Sequence, residues 1–346
     1  MNKIYSLNSW FEYEISTYPN FRPDRSLQQF QDTLQNIFLL LADKNDFVLL
    51  QSSPPADFLH YLKLTGLETG QMLTINSLLP HGQLIEWGKT SEIINGKITY
   101  NSEIIAHSRL INSKIQQTIW KQNYSDNPCH ATITADKNQL EIFIAKHGYP
   151  VVIKNEFNLA GRGFVIIHNQ EDFFKFIFPA NTTYVVEKWA ERTSDFSLLF
   201  DVTDGTINFL SMTQMDISSR GQFQGLRLTQ ADENILTAAF RILQSIINAT
   251  GYSGPLAMDG FQFTENGKTK IQFFSEINFR YSMGRILYEL VNKLRTPPAT
   301  KKLEFTPRNF DLSYKDLLSR KLPAIALTPL FEHNGKRQKA LLYTSM

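Results

Sequence analysis

One cysteine, Cys129, stands in a chain of 346 residues. It allows no intrachain disulfide framework and fits a reducing compartment; beside Pro128 in a polar loop it reads as incidental rather than as a nucleophile. Long apolar runs are lacking too. Ile37-Phe-Leu-Leu-Leu-Ala42 stops at Asp43-Lys44, far short of a membrane span. Met1-Asn-Lys-Ile-Tyr-Ser-Leu-Asn8 holds no apolar core of signal-peptide length, so a cytoplasmic protein is expected. Neither sign of charge dominates: 35 Lys and Arg against 33 Asp and Glu give a net charge of +2, with no footprint for nucleic acid or an acidic membrane. The histidines show no ligand spacing, which argues against a His-based metal site. Internal repeats and low-complexity tracts are absent.

What is present is the composition of a globular protein, 42% apolar and 20% charged, with 26 Phe for large packed cores. The length calls for two or three structural units. Residues 24–42 repeat apolar positions at helical spacing behind Asp24 or Ser26 as N-cap. Asp46 to Gln51 reads as a strand, and a second helix begins after Pro55. This alternation implies an α/β unit at the front of the chain. A helix around 112–122 and another over 136–147, ending at Gly148, precede strands at 149–154, 164–168 and 184–189. Further strands are expected at 196–202 and 207–212, a strongly apolar helix at 235–247, a linker at Pro297-Pro298, and one more strand at 340–344.

The densest signal is Gly254-Pro-Leu-Ala-Met-Asp-Gly-Phe-Gln-Phe263, followed after Asn266-Gly267 by Ile271-Gln-Phe-Phe-Ser-Glu-Ile-Asn-Phe-Arg280. Each half largely alternates apolar and polar residues, so the pair predicts an antiparallel hairpin closed by a type I′ turn. Glu276, Asn278 and Arg280 are two apart and leave the strand from one face, with Phe273, Ile277 and Phe279 burying the other. Asp259, on the partner strand, reaches the charged face. Carboxylate and amide oxygens are what Mg²⁺ prefers, usually beside substrate phosphates. The cluster reads as a nucleotide–metal site.

In order along the chain, Asn112-Ser-Lys114, Gly148-Tyr-Pro-Val-Val-Ile-Lys154, Asn158-Leu-Ala-Gly-Arg-Gly163, Val185-Val-Glu-Lys-Trp189, and Asp259 with Ser275-Glu-Ile-Asn-Phe-Arg280 resemble the motifs of the ATP-grasp ligases. The biotin carboxylase branch has a similar order of lysines and a similar Glu-x-Asn-x-Arg ending. The resemblance spans roughly 110–290. It implies an α/β fold with α+β subdomains: an N-terminal preATP-grasp domain (1–110), an ATP-grasp subdomain with a lid loop (111–190), a metal-binding subdomain (191–300) and a C-terminal tail packing on the core (301–346).

The resemblance also assigns roles. Lys114 and Lys154 face the polyphosphate as compact cations. Gly161, Arg162 and Gly163 belong to the lid, where glycine permits close backbone approach to phosphate. Glu187 meets the ribose, the backbone at Lys188 and Trp189 reads adenine, and Asp195 lies within reach of the nucleotide. Asp259, Glu276 and Asn278 hold Mg²⁺, or Mn²⁺ in its place, and Arg280 neutralises the transferring phosphoryl group. This sequence departs from the family pattern in a lid with fewer glycines, in Asn155-Glu156 after the second lysine, and in Asp rather than Glu at 259. The implied reaction activates a carboxylate as an acyl phosphate for attack by an amine, the partners being small molecules, amino acids or a peptide among them. A biotin-carboxylase-like carboxylase, a phosphotransferase and a non-catalytic ATP-binding module remain as alternatives. Arg220, Arg227 and Arg285 read as solvated or ion-paired. The substrates and the oligomeric state, a homodimer included, stay open.

Overall fold

The computed structural model describes residues 1–124, 130–157, 163–179, 182–217, 223–294, 302–306, 313–319, 324–333 and 336–343. The front of the chain runs β1 (Lys3–Ser6), α1 (Phe11–Thr17), α2 (Arg25–Leu34), α3 (Ile37–Leu41), β2 (Phe47–Leu50), α4 (Ala56–Thr65), β3 (Gln71–Thr74) and β4 (Gln83–Glu86). Its four strands form a parallel sheet in the order β3-β2-β1-β4. The order reverses direction between β1 and β4, which makes the carboxyl ends of these two strands the topological switch point of the sheet. The helix expected over 24–42 is broken at Gln35-Asn36. Both side chains turn back to bond the carbonyl of Asp32, which competes with the continuing helix.

A hairpin, β5 (Ser91–Ile94) with β6 (Lys97–Tyr100), leads into α5 (Ser102–Asn112) and α6 (Lys114–Tyr124). Ser113, extended at ψ 122°, separates these two helices. The next unit comprises β7 (Ala131–Thr134), α7 (Lys137–His147), β8 (Val151–Asn155), β9 (Phe164–Ile167), α8 (Gln170–Lys175) and β10 (Tyr184–Lys188), with an antiparallel sheet in the order β7-β10-β8-β9. Val151, Ile153, Tyr184 and Val186 fill its core against α7, so strand alternation turns Lys154 and Glu187 out to the opposite face.

The remaining elements are β11 (Arg192–Thr203), β12 (Thr206–Ile217), β13 (Phe223–Thr229), α9 (Glu233–Thr250), β14 (Gly254–Glu265), β15 (Lys268–Asn278), α10 (Met283–Lys293), β16 (Lys302–Thr306), α11 (Tyr314–Leu318), β17 (Ala324–Ala326), β18 (Phe331–His333) and β19 (Lys336–Tyr343). They build a sheet in the order β15-β14-β11-β12-β13-β16-β19-β17, with β18 paired to β19. Residues from β16, β17 and β19 thus extend the same sheet that carries β14 and β15. Helix α9 buries Ile235, Ala239, Ile242, Leu243 and Ile246 against Leu198, Phe200, Met258 and Ile277 on one face. Helix α10 lies over the other, where a Cβ on Gly284 would stand 3.0 Å from Leu199.

The expected hairpin is β14–β15. Asn266 (φ 52°) and Gly267 (φ 71°) both take the positive φ that a type I′ turn demands. One part of its pattern differs. An irregularity sets residues 273–275 opposite Gly260, and Phe274 rather than Phe273 becomes the fully buried ring. Strict alternation fails there because the bulge inserts residues without a partner. Among the described residues no helix is long and apolar enough to cross a membrane.

Candidate active site

Strand β15 is an edge of its sheet, so one row of its backbone groups needs partners from elsewhere. Side chains at the junction of α5 and α6 supply them. Gln117 accepts from Ile277 N–H at 2.8 Å and donates to Ile277 O at 2.6 Å. Lys121 Nζ donates to Ser275 O at 2.9 Å, and Asn112 Oδ1 accepts from Phe279 N–H at 3.1 Å. This polar seam fixes α6 along the edge strand, and Lys114, on the same stripe, lies over Glu276 with Nζ–Oε1 2.5 Å.

The other wall is the sheet of β8 and β10. Lys154 and Lys121 both pair with Glu187, Lys121 at 2.7 Å and Lys154 through the second carboxylate oxygen. Burial opposes the charge on Glu187, yet the two ammonium groups together outweigh it and hold the carboxyl well below the usual range. Lys114, Gln117, Thr118, Lys121, Lys154 and Glu187, with Ser275 and Glu276, line a small cleft between the two sheets.

On β14 and β15, Asp259 and Glu276 stand directly opposite one another, and Asn278 Nδ2 donates to Asp259 Oδ2 at 2.9 Å. Burial raises the Asp259 carboxyl to about 7; Glu276 adds to that, against hydrogen bonds from Ser197 and Asn278. Glu276 is held low instead, because Lys114 overcomes the effect of its burial. The donors here are all oxygens, two carboxylates and an amide, which suits Mg²⁺ with water and phosphate completing its shell. No three His, Cys, Asp or Glu converge as a self-sufficient cage among the described residues.

Arg280 ends this row. Its Nη2 donates to Asn278 Oδ1 at 3.0 Å, its Nη1 to Tyr281 O at 2.9 Å, and its Nε to Glu12 Oε1 at 2.6 Å. The guanidinium lies 5.5 Å from the Trp87 ring centre. Tyr281 N–H bonds Trp87 O at 2.8 Å, so the end of β15 abuts the carboxyl end of β4.

The other expected residues fall as follows. Lys188 points its ammonium back to the carbonyls of Gly148 (3.1 Å) and Tyr149 (2.7 Å). The backbone N–H groups of Lys188 and Trp189 go to His130 O and Pro150 O, each at 3.0 Å. The Trp189 ring stacks near Phe164, with Arg192 over it at 5.4 Å. Asp195 pairs with Arg192 at 2.8 Å, two residues along the strand from Ser197. Gly163 has φ 72° and accepts from Asn155 N–H at 3.2 Å, while Gly161 and Arg162 lie outside the described residues. Glu156 turns away to Ser113, whose Oγ donates to it at 2.5 Å. Arg285 forms a two-bond pair with Asp201.

Sequence reading passed over Gln117, Lys121, Ser197 and Glu12. Lys121 carries a legible signal, since it follows Lys114 by two helical turns. The others are ordinary polar residues whose partners lie far away in the chain.

Residues 120–281 match the ATP-grasp domain family model. No curated protein sequence matches the chain. Among solved structures, phosphoribosylamine–glycine ligase from Thermotoga maritima aligns over 99% of this chain and 91% of its own, at 12% identity and a TM-score of 0.60. N5-carboxyaminoimidazole synthetase from Staphylococcus aureus, complexed with ADP, aligns over 100% and 93%, at 11% identity and a TM-score of 0.57. The ribonucleotide synthetase of that name from Thermus thermophilus aligns over 99% and 93%, at 12% and 0.57. At such identities the likeness concerns the fold. This chain carries an ATP-grasp domain and has the ATP-grasp fold.

Proposed function

We propose that this protein is an ATP-dependent ligase that joins a carboxylate to an amine. The observation that carries the reading is the cleft itself: Lys114, Lys154, Glu187 and Glu276 come from four separate segments and meet between two sheets. Each ammonium group is paired with a carboxylate, Lys114 with Glu276 and Lys154 with Glu187, so phosphate and Mg²⁺ can take over partners already of the right sign. In this reading Lys114 and Lys154 hold the phosphates, and Asp259, Glu276 and Asn278 would hold Mg²⁺, which neutralises phosphate charge when bound. Glu187 and Asp195 stand toward the ribose. At Lys188 and Trp189, whose N–H groups are engaged, carbonyls are the backbone groups left to meet adenine.

The substrate carboxylate oxygen attacks the γ-phosphorus and ADP leaves; the amine then attacks the acyl phosphate, losing a proton as phosphate departs. Arg280 neutralises charge on the transferring group. The single cysteine supports a cytoplasmic setting. The test is an ATP-hydrolysis screen with Mg²⁺ over carboxylates paired with amines, followed by mass measurement of the product. A product heavier by the amine less water supports ligation; a phosphorylated or carboxylated product, or hydrolysis indifferent to every pair, overturns it.

A further inference from the structure

Lys114 and Lys154 reach the cleft from different units, one on the first turn of α6 and the other near the end of β8. Their separation is therefore set where those two elements touch. Glu156, one residue past β8, makes such a contact. Its carbonyl accepts from Lys114 N–H at 3.2 Å, and its carboxylate accepts from Ser113 Oγ at 2.5 Å. Ser113 Oγ in turn accepts from Gln116 N–H at 3.2 Å, as the N-cap of α6. Two of the N–H groups that a helix leaves unpaired at its start, those of Lys114 and Gln116, are thus satisfied by Glu156 or by the hydroxyl bonded to it. Phe157, the next residue, packs against the core that holds Ile105 of α5, with the Arg109 guanidinium 5.8 Å from its ring centre.

If charge were all that Glu156 contributed, an acid so near both lysines would only lower the positive field of the cleft. The geometry gives it another task. Ser113 is 5% exposed, and the carboxylate commits one oxygen to its hydroxyl, at the positive end of the α6 dipole. This bond is short and charge-assisted, and it joins positions 43 apart in the chain. The covalent path from one ammonium to the other through the contact is brief: Lys114 follows Ser113 directly, and Lys154 precedes Glu156 by two residues. Both ammonium groups are neutralised elsewhere, Lys114 by Glu276 and Lys154 by Glu187.

We propose that Glu156 is a positioning residue: through Ser113 and the Lys114 N–H it sets the span between the Lys114 and Lys154 ammonium groups, so that one polyphosphate meets both. The proposal rests on the ligase reading above, which makes those lysines phosphate ligands. Glu156 itself touches neither nucleotide nor metal. Its effect is exerted through Lys114, so removing the Lys114 ammonium should abolish it.

Calorimetric titration of the full chain with Mg·ATP, carried to millimolar nucleotide, is the test. Glu156→Ala should bind about tenfold more weakly, the scale of one charge-assisted hydrogen bond. Glu156→Gln keeps an acceptor for the Ser113 hydroxyl and should stay within about threefold of the parent. In a Lys114→Gln background, adding Glu156→Ala should cost less than about twofold, because the residue it acts through is gone. A role in general stability alone weakens both backgrounds alike, and that result overturns the proposal. So does tighter binding by Glu156→Gln, which would make the acid a repulsive charge and nothing more, or unchanged binding by Glu156→Ala. Failure of the wild-type chain to bind Mg·ATP overturns the ligase reading instead, and is seen before any variant is titrated.

Discussion

Lys114 Nζ donates to Glu276 Oε1 at 2.5 Å across 162 positions of sequence. The cation assigned to phosphate and the carboxylate assigned to metal thus neutralise each other, and nucleotide and metal must separate them together. Glu276→Gln frees Lys114 while removing a metal ligand. Metal-free ATP should therefore bind about tenfold more tightly to Glu276→Gln, the scale of one charge-assisted contact, while Mg²⁺-dependent turnover is lost. Titration with ATP in chelator checks the first effect. Weaker metal-free binding in the variant would show that the pair does not compete with nucleotide.

Lys121 joins the two walls of the cleft, reaching Glu187 on β10 and Ser275 O on β15. Lys121→Met leaves a buried carboxylate with half its compensation and an edge carbonyl without this donor. We expect a loss of roughly 2–4 kcal/mol in unfolding free energy, read from the denaturant midpoint, with Lys121→Arg losing less. The KM for ATP should rise in Lys121→Met, because Glu187 and Lys154 are no longer held in register.

Glu86 has its carboxyl pushed up to about 7 by burial, against hydrogen bonds from the Thr90 and Ser91 N–H groups. The folded chain therefore keeps a proton that the unfolded chain releases from about pH 4.5 upward. This group's contribution to stability falls as pH rises through that window, and the penalty is constant above pH 7. Glu86→Gln should accordingly raise Tm relative to the parent at pH 8 by more than at pH 5. An equal effect at both pH values would mean that Glu86 ionises freely in the fold.

Gly260 sits beside Asp259 where the hairpin register shifts. A Cβ there would lie 2.4 Å from Phe196 Cζ and 2.7 Å from Gln272 O. The ring is buried and the carbonyl is backbone, so neither yields at low cost. Gly260→Ala should cost about 2–3 kcal/mol or more in unfolding free energy, whereas Gly267→Asn, at a positive-φ turn position with open space around it, should cost little.

Local chemistry made the β14–β15 hairpin legible: Asn266-Gly267 dictates the turn, and period-two alternation puts Glu276, Asn278 and Arg280 on one face. Lys154 and Glu187 are legible through the resemblance to the family motifs rather than through alternation. Local chemistry failed where a distant partner decides. Phe274 takes the core position that alternation gives to Phe273 because of a bulge opposite Gly260. Gln117 looks like an ordinary polar helix residue until β15 arrives as an unpaired edge. Glu12 gains its meaning from Arg280, 268 positions away. The lid residues Asn158 to Arg162 lie outside the described residues.

The placement of β16 and β19 bears on how the protein is made. Leu303, Leu341 and Leu342 pack in one core with Tyr5, Phe38 and Val48 from the front of the chain, and β16 pairs directly with β13. A nascent chain emerging from the ribosome at about 5–20 residues per second leaves β13 as an open edge until β16 and β19 have cleared the exit tunnel. Over that interval the exposed edge invites pairing with neighbouring chains. The β14 and β15 residues of the candidate active site are thus translated while β13 is still an open edge.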